Sequence, residues 1–151
     1  VHRDFHSRNL MVRQDNLMLI DFQDARMGPR QYDLVSLLKD SYVILPEETR
    51  NQLLDYYLQR IEQEENRPLP RSHFMKIFDC MSIQRNLKAI GSFASQYMEH
   101  QNDRYLQYIE PTLQYIRDTM HARPDLKPLS QALGQAIPEL QIGSQNEGPS
   151  S

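Results

Sequence analysis

Two short apolar runs near the N-terminus flank the polar residues Gln14, Asp15 and Asn16, and after them apolar positions recur only at helical spacing. This pattern restricts the fold most, because a chain with one hairpin and no further strand signal builds its core by packing helices. The runs from Asn9 to Arg13 and from Leu17 to Asp21 predict a β-hairpin closed by the polar residues between them. From Tyr32 onward Leu34, Val35, Leu38 and Tyr42 keep a helical period, which Pro46 is expected to end. A second helix is expected from Glu47, with Leu53, Leu54, Tyr57, Leu58 and Ile61 on one side, dissolving into the surface loop EQEENRPLPR. Ser72 is a fitting N-cap for a long helix carrying Phe74, Ile77, Phe78, Met81, Leu87, Ile90, Ala94 and Tyr97. A further helical stretch runs from Arg104 to Met120, where Pro111 either kinks it or opens a new helix at its first turn. A last short helix is expected at Ser130 to Ala136, and QIGSQNEGPSS has the composition of a disordered tail.

At 151 residues, the chain is long enough for one domain with a real core. The net charge of -3 argues against a general nucleic-acid partner, since such proteins carry surplus Lys and Arg, so an anionic ligand must be met by local cations. The single Cys80 reads as a small core residue and excludes an internal disulfide, which with the absence of a signal-peptide pattern predicts a cytoplasmic protein. No run of eighteen apolar residues is present, so no membrane association is expected. The chain has no initiator Met and opens on a residue that reads as mid-strand, which is expected of a fragment.

The chemistry concentrates at the start, in VHRDFHSRNLMV. Counted from Asp15, Asn9 and Asp21 are equally distant and are expected to face each other across the hairpin, with Cβ atoms about 5 Å apart. An amide oxygen and a carboxylate placed so can converge on one hard cation, and Mg²⁺ takes a few protein oxygens while phosphates and waters fill its other positions. Asp4 would lie in the loop leading in. A second reading puts His2, Asp4 and His6 on one face of a strand as ligands for Zn²⁺ or Mn²⁺. On the long helix the stripe through Phe74, Phe78 and Met81 continues at the same phase onto Arg85 and Lys88. These two cations either meet an anionic substrate, such as a lactyl carboxylate, in a cleft, or mark where the helix emerges into solvent. His73, His100 and His121 stand alone without ligand spacing.

HRDFHSRN followed by LIDFQDA resembles the catalytic loop and metal-binding strand of protein-kinase-like folds. Within these the chain resembles the aminoglycoside phosphotransferase and choline kinase group of small-molecule kinases. It carries His6 where Ser/Thr protein kinases usually have Lys, and it has no room between Asp21 and Tyr32 for a peptide-binding activation segment. LIDFQDARMGPRQYDLVSLLKDSY and IQRNLKAIGSFA are most similar to the bacterial anomeric kinases of N-acetylmuramate and N-acetylglucosamine, which serve cell-wall sugar recycling. Arg3 departs from the Gly common in aminoglycoside members.

The resemblance implies a mainly α (α+β) fold, the C-terminal lobe of a kinase-like protein. Residues 1–30 would form its catalytic loop and hairpin, 31–123 its helical part, and 124–151 a short helical turn and tail. It implies ATP as phosphoryl donor, Mg²⁺ as cofactor, a small-molecule sugar as partner and a monomeric full-length protein. Asp4 would accept or orient the proton of the attacking hydroxyl, and Asn9 and Asp21 would hold Mg²⁺. His2 would brace the loop, and His6 would be a secondary residue of the site. Asp24 would contact metal or substrate or lie at the surface, and Asp33 would act as a cap or loop anchor. The glycine-rich loop and strand Lys that cover ATP are not found here, so the chain is expected to be the catalytic half. As such it should be inactive alone, with an apolar surface where the rest would pack. Other acceptors of the group (aminoglycosides, choline, homoserine) and a non-catalytic binding module are the alternatives.

Overall fold

The computed structural model describes residues 1–141, so the expectation of a disordered tail falls almost wholly outside the described residues. An irregular segment ends in a short 3₁₀ turn, Ser7–Asn9, and leads into the hairpin strands β1 (Leu10–Arg13) and β2 (Asn16–Leu19). Helices α1 (Gln31–Leu38), α2 (Glu47–Glu65), α3 (Arg71–His100), α4 (Ile109–His121) and α5 (Lys127–Ala136) follow. The molecule is thus mainly helical with one two-stranded antiparallel sheet.

The hairpin register differs from the expected one. Leu10 faces Leu19 and Arg13 faces Asn16, so the turn has two central residues, Gln14 and Asp15, with φ of 50° and 61°. A two-residue turn with both φ positive matches the right-handed twist of paired strands, and this preference outweighs the symmetric count around Asp15. Asn9 accordingly lies level with Ile20, whose N–H donates to the Asn9 carbonyl at 3.1 Å, and Asp21 falls one residue beyond the direct opposition expected.

Three helix ends also differ. α1 stops at Leu38, well before Pro46, because the Asp40 carboxylate takes the Tyr42 N–H at 2.8 Å and so offers the backbone a turn instead of a helix. α3 begins at Arg71 behind Pro70, so Ser72 lies inside the first turn and caps nothing. α5 begins at Lys127 with Pro128 in its first turn, earlier than the expected Ser130. At Pro111 the second of the two sequence options holds: a 3₁₀ stretch, Asp103–Tyr108, gives way to α4 with the proline in its first turn.

Two apolar clusters hold the helices. Val35 and Leu38 of α1 meet Leu54 and Leu58 of α2 and Phe74 and Phe78 of α3. Farther along α3, Ile83 packs with Leu113, Ile116 and Met120 of α4 and with Leu140, which is fully buried. α3 contributes to both clusters and therefore ties the ends of the molecule together. Cys80 is half-buried on it with a free thiol. The hairpin leaves Met11, Val12, Leu17 and Met18 exposed, so neither of its faces is covered. Among the described residues no helix is long and apolar enough to cross a membrane.

Just past α1, the Lys39 amine reaches between α3 and α4 to donate to Ser82 Oγ at 2.9 Å and Thr119 Oγ1 at 2.8 Å. Burial pulls its pKa down to about 8, Asp79 opposes the shift, and Arg50 adds to it. A largely buried cation whose hydrogen bonds go to hydroxyls and not to a carboxylate opposes folding, so Lys39→Met is expected to stabilise the protein at pH 7 by about 2 kcal/mol in urea unfolding. The folded amine loses its proton near pH 8 and the unfolded one near 10.5, so the penalty is complete below the first value and gone above the second. The gap between variant and parent should therefore close across that interval.

Candidate active site

The segment ahead of the hairpin has almost no regular structure, so its shape depends on what its backbone N–H groups bind. Two carboxylates from the α1 region provide this. Asp33, in the first turn of α1, accepts the His2 N–H at 2.6 Å and the Arg3 N–H at 2.9 Å, one on each oxygen. Asp40, 1% exposed, accepts the Ser7 N–H at 2.8 Å on the oxygen not bound to Tyr42. Arg3 itself adopts φ 78°, a left-handed conformation that a side chain opposes, where the chain turns from this anchored pair toward Asp4.

His2 is buried and accepts at Nδ1 from the Asp4 N–H at 3.3 Å, while its Nε2 lies 2.9 Å from the Ile20 carbonyl. A carbonyl only accepts, so these contacts fit a neutral imidazole with its proton on Nε2, which ties the loop to β2. The residues around His2 and Asp4 are not a strand, which removes the shared face that the Zn²⁺ reading required. Among the described residues no group of three or more His, Cys, Asp or Glu is placed to hold a metal.

Asp4 emerges from this frame with a half-exposed carboxylate. Its carbonyl accepts the His6 N–H at 3.0 Å and Asn9 Nδ2 at 2.9 Å. The second bond fixes the Asn9 amide by its nitrogen, so the oxygen is the end left for a ligand. Asp21 has φ 65°, and its exposed carboxylate takes one hydrogen bond, from Gln23. An amide oxygen and a carboxylate oxygen are hard donors that suit Mg²⁺. Asp24 is exposed in the turn closed by Ala25 N–H and the Phe22 carbonyl, 3.1 Å apart.

A cavity of about 200 Å³ joins Asp4, His6, Tyr42, Arg85 and Lys88. Lys88 Nζ is 4.0 Å from Asp4 Oδ1. Arg85 is buried rather than emerging into solvent, and its Nη1 lies 3.3 Å from the Lys39 carbonyl, 3.3 Å from Ser41 Oγ and 3.2 Å from Asn86 Oδ1. Burial lowers the Arg85 pKa against the pull of Asp40, and burial likewise holds the His6 imidazole below its usual value, again opposed by Asp40. Asp21 and Asp24 do not line this cavity.

Sequence reasoning missed Asp40 and Arg8. The Arg8 guanidinium sits 3.7 Å from the centroid of the Tyr42 ring, with Tyr108 and Tyr105 at 5.4 and 5.8 Å, and it donates to Tyr108 Oη at 3.1 Å. This pins the loop between Asp4 and Asn9 to the start of α4. No local signal could have found it, because the rings come from distant parts of the chain.

In comparison with known proteins, residues 1–70 match the phosphotransferase enzyme family. More specifically, the chain is 37% identical over 147 residues to a protein of Neisseria meningitidis serogroup B named N-acetylmuramate/N-acetylglucosamine kinase, covering 95% of this chain and 44% of that protein. A protein of the same name from Pseudomonas aeruginosa is 37% identical over 135 residues, covering 88% of this chain and 40% of its own length. The chain thus spans less than half the length of the curated relatives it matches.

Asp33→Asn replaces one acceptor oxygen by an NH₂ group that faces a backbone N–H. It is expected to destabilise the protein by about 1–3 kcal/mol in urea unfolding. Hydrogen exchange at the amides of His2 and Arg3 should accelerate, while that of α4 keeps pace only with the global change.

Proposed function

We propose that this chain is the catalytic, C-terminal-lobe part of a small-molecule kinase that phosphorylates a sugar hydroxyl with ATP. The preferred acceptor is the anomeric hydroxyl of N-acetylmuramate or N-acetylglucosamine. The observation that carries the proposal is the position of Asp4, a carboxylate held by a pinned loop at the mouth of a cavity lined by Arg85 and Lys88. The names of the relatives support the choice of sugar.

In this reading Asp4 takes the proton of the acceptor hydroxyl as its oxygen bonds to the γ-phosphorus, and the bond to the β–γ bridging oxygen breaks to release ADP. Asn9 and Asp21 would hold Mg²⁺, which supplies charge neutralisation on the transferring phosphates. Their oxygens are the right kind, and the Asn9 amide is fixed by its nitrogen with its oxygen left over. His2 holds the loop on β2, and the Arg8 cage holds its other end. Lys88, beside the base, would receive the lactyl carboxylate of N-acetylmuramate, and buried Arg85 would reinforce the positive potential behind it.

The test is ADP release by the full gene product containing this chain, with Mg·ATP and N-acetylmuramate. Asp4→Asn is expected to lower kcat by about 10² to 10⁴-fold while leaving the fold intact. A folded protein that binds Mg·ATP but turns over neither amino sugar would discard this acceptor and leave the other small-molecule kinases. Lys88→Ala should raise KM for N-acetylmuramate about tenfold and change that for N-acetylglucosamine much less, because only the first carries a carboxylate.

A further inference from the structure

The two cavities at the end of α1 differ in charge. The one beside Lys39, of about 410 Å³, sets Glu47, Asp79 and Asp118 against Lys39 and Arg50. The lining of the one at Asp4 holds Arg3, Arg85 and Lys88, with Asp4 as its one acid. Such a surplus of cations gives the second cavity a positive potential and favours an anionic occupant.

Two of its three cations are already engaged. Lys88 Nζ lies 4.0 Å from Asp4 Oδ1, and Arg85 turns Nη1 to the Lys39 carbonyl, Ser41 and Asn86. Arg3 is half-buried and gives its backbone N–H to Asp33, yet its guanidinium makes no hydrogen bond or ion pair among the described residues. It is the cation of this lining left free to meet a ligand.

Arg3 also stands where a side chain is unfavourable. At φ 78° its backbone is left-handed, a conformation that glycine adopts without steric opposition and other residues resist. The bond to Asp33 comes from the backbone N–H, so a glycine would keep it. A strained residue whose side chain contributes no bond to the fold implies a use for that side chain, and this one lines the cavity at Asp4.

Taking its ligand from the kinase reading above, we infer that Arg3 is a specificity-determining residue, whose guanidinium binds the carboxylate of the acceptor and so favours N-acetylmuramate over N-acetylglucosamine. A guanidinium offers a planar pair of N–H donors to the two oxygens of a carboxylate, which the point charge of Lys88 does not.

The test is calorimetric titration of the full gene product with N-acetylmuramate, N-acetylglucosamine and Mg·ATP, repeated on Arg3→Gly, Arg3→Gln and Arg3→Lys. The parent is expected to prefer N-acetylmuramate. Arg3→Gly and Arg3→Gln should bind it about tenfold or more weaker, with a much smaller change for N-acetylglucosamine. Arg3→Lys should restore part of the preference, and Arg3→Gly should unfold at a Tm no lower than the parent's. Equal binding of the two sugars by the parent, or a preference that survives both uncharged substitutions, would overturn the inference. So would an affinity for Mg·ATP that falls as far as that for N-acetylmuramate, since the guanidinium would then serve the nucleotide. A Tm far below the parent's in Arg3→Gly would overturn it too, by showing that the side chain serves the fold. An Arg3-dependent preference in a protein that releases no ADP would sink the kinase reading alone. ADP release with both sugars, at a ratio indifferent to Arg3, would sink this inference alone.

Discussion

The two hydrogen bonds from His2 and Arg3 to the Asp33 carboxylate decide the shape of everything near the site. A loop with few repeating hydrogen bonds of its own must borrow its geometry from a regular element, and α1 lends it through two acids. A carboxylate accepting backbone N–H groups makes stronger bonds than a neutral acceptor would, so short contacts can hold a strained backbone. α1 is itself immobilised, since Val35 and Leu38 are almost fully buried against α2 and α3. Order therefore passes from the apolar core to α1, from α1 to the loop, and from the loop to Asp4.

The helical architecture was legible because amphipathic periodicity records burial directly: Leu34, Val35, Leu54, Leu58, Phe74 and Phe78 were all expected on inward faces and are buried there. The limits of elements were less legible, since they depend on local competitions. A two-residue turn displaced the register by one position, and the Asp40 side chain ended α1 before Pro46 could. At the site, HRDFHSRN marked the loop that the structure pins, and the helical phase of Arg85 and Lys88 indicated the shared direction in which both line the cavity at Asp4. The Arg8 cage and the Lys39 pocket were invisible because each assembles from segments far apart in sequence, and side-chain partners at such distances leave no periodic trace.

The end of α1 also separates charge. Asp40 turns toward the loop that carries Asp4 and Lys39 away from it, so two polar side chains one residue apart serve unrelated environments. Arg85 spans the divide, with Asp40 as its largest favourable charge partner and the Lys39 carbonyl as one of its acceptors. Movement of this short junction would be felt on both sides, because Lys39 lines one cavity and Asp40 holds the loop that carries Asp4.

The left-handed backbone at Arg3 has a consequence for how such a loop can vary among relatives. What the fold requires at this position is a left-handed turn of the chain between the amides held by Asp33 and Asp4, and the side chain is incidental to that. Glycine meets the requirement without steric opposition, and arginine meets it only because the Asp33 bonds offset the strain. Position 3 is thus open to two kinds of sequence, one that relies on glycine and one that relies on the anchor. Arginine there places a charged side chain at the rim of the cavity that holds Asp4, and with it a means of altering which molecules approach that carboxylate.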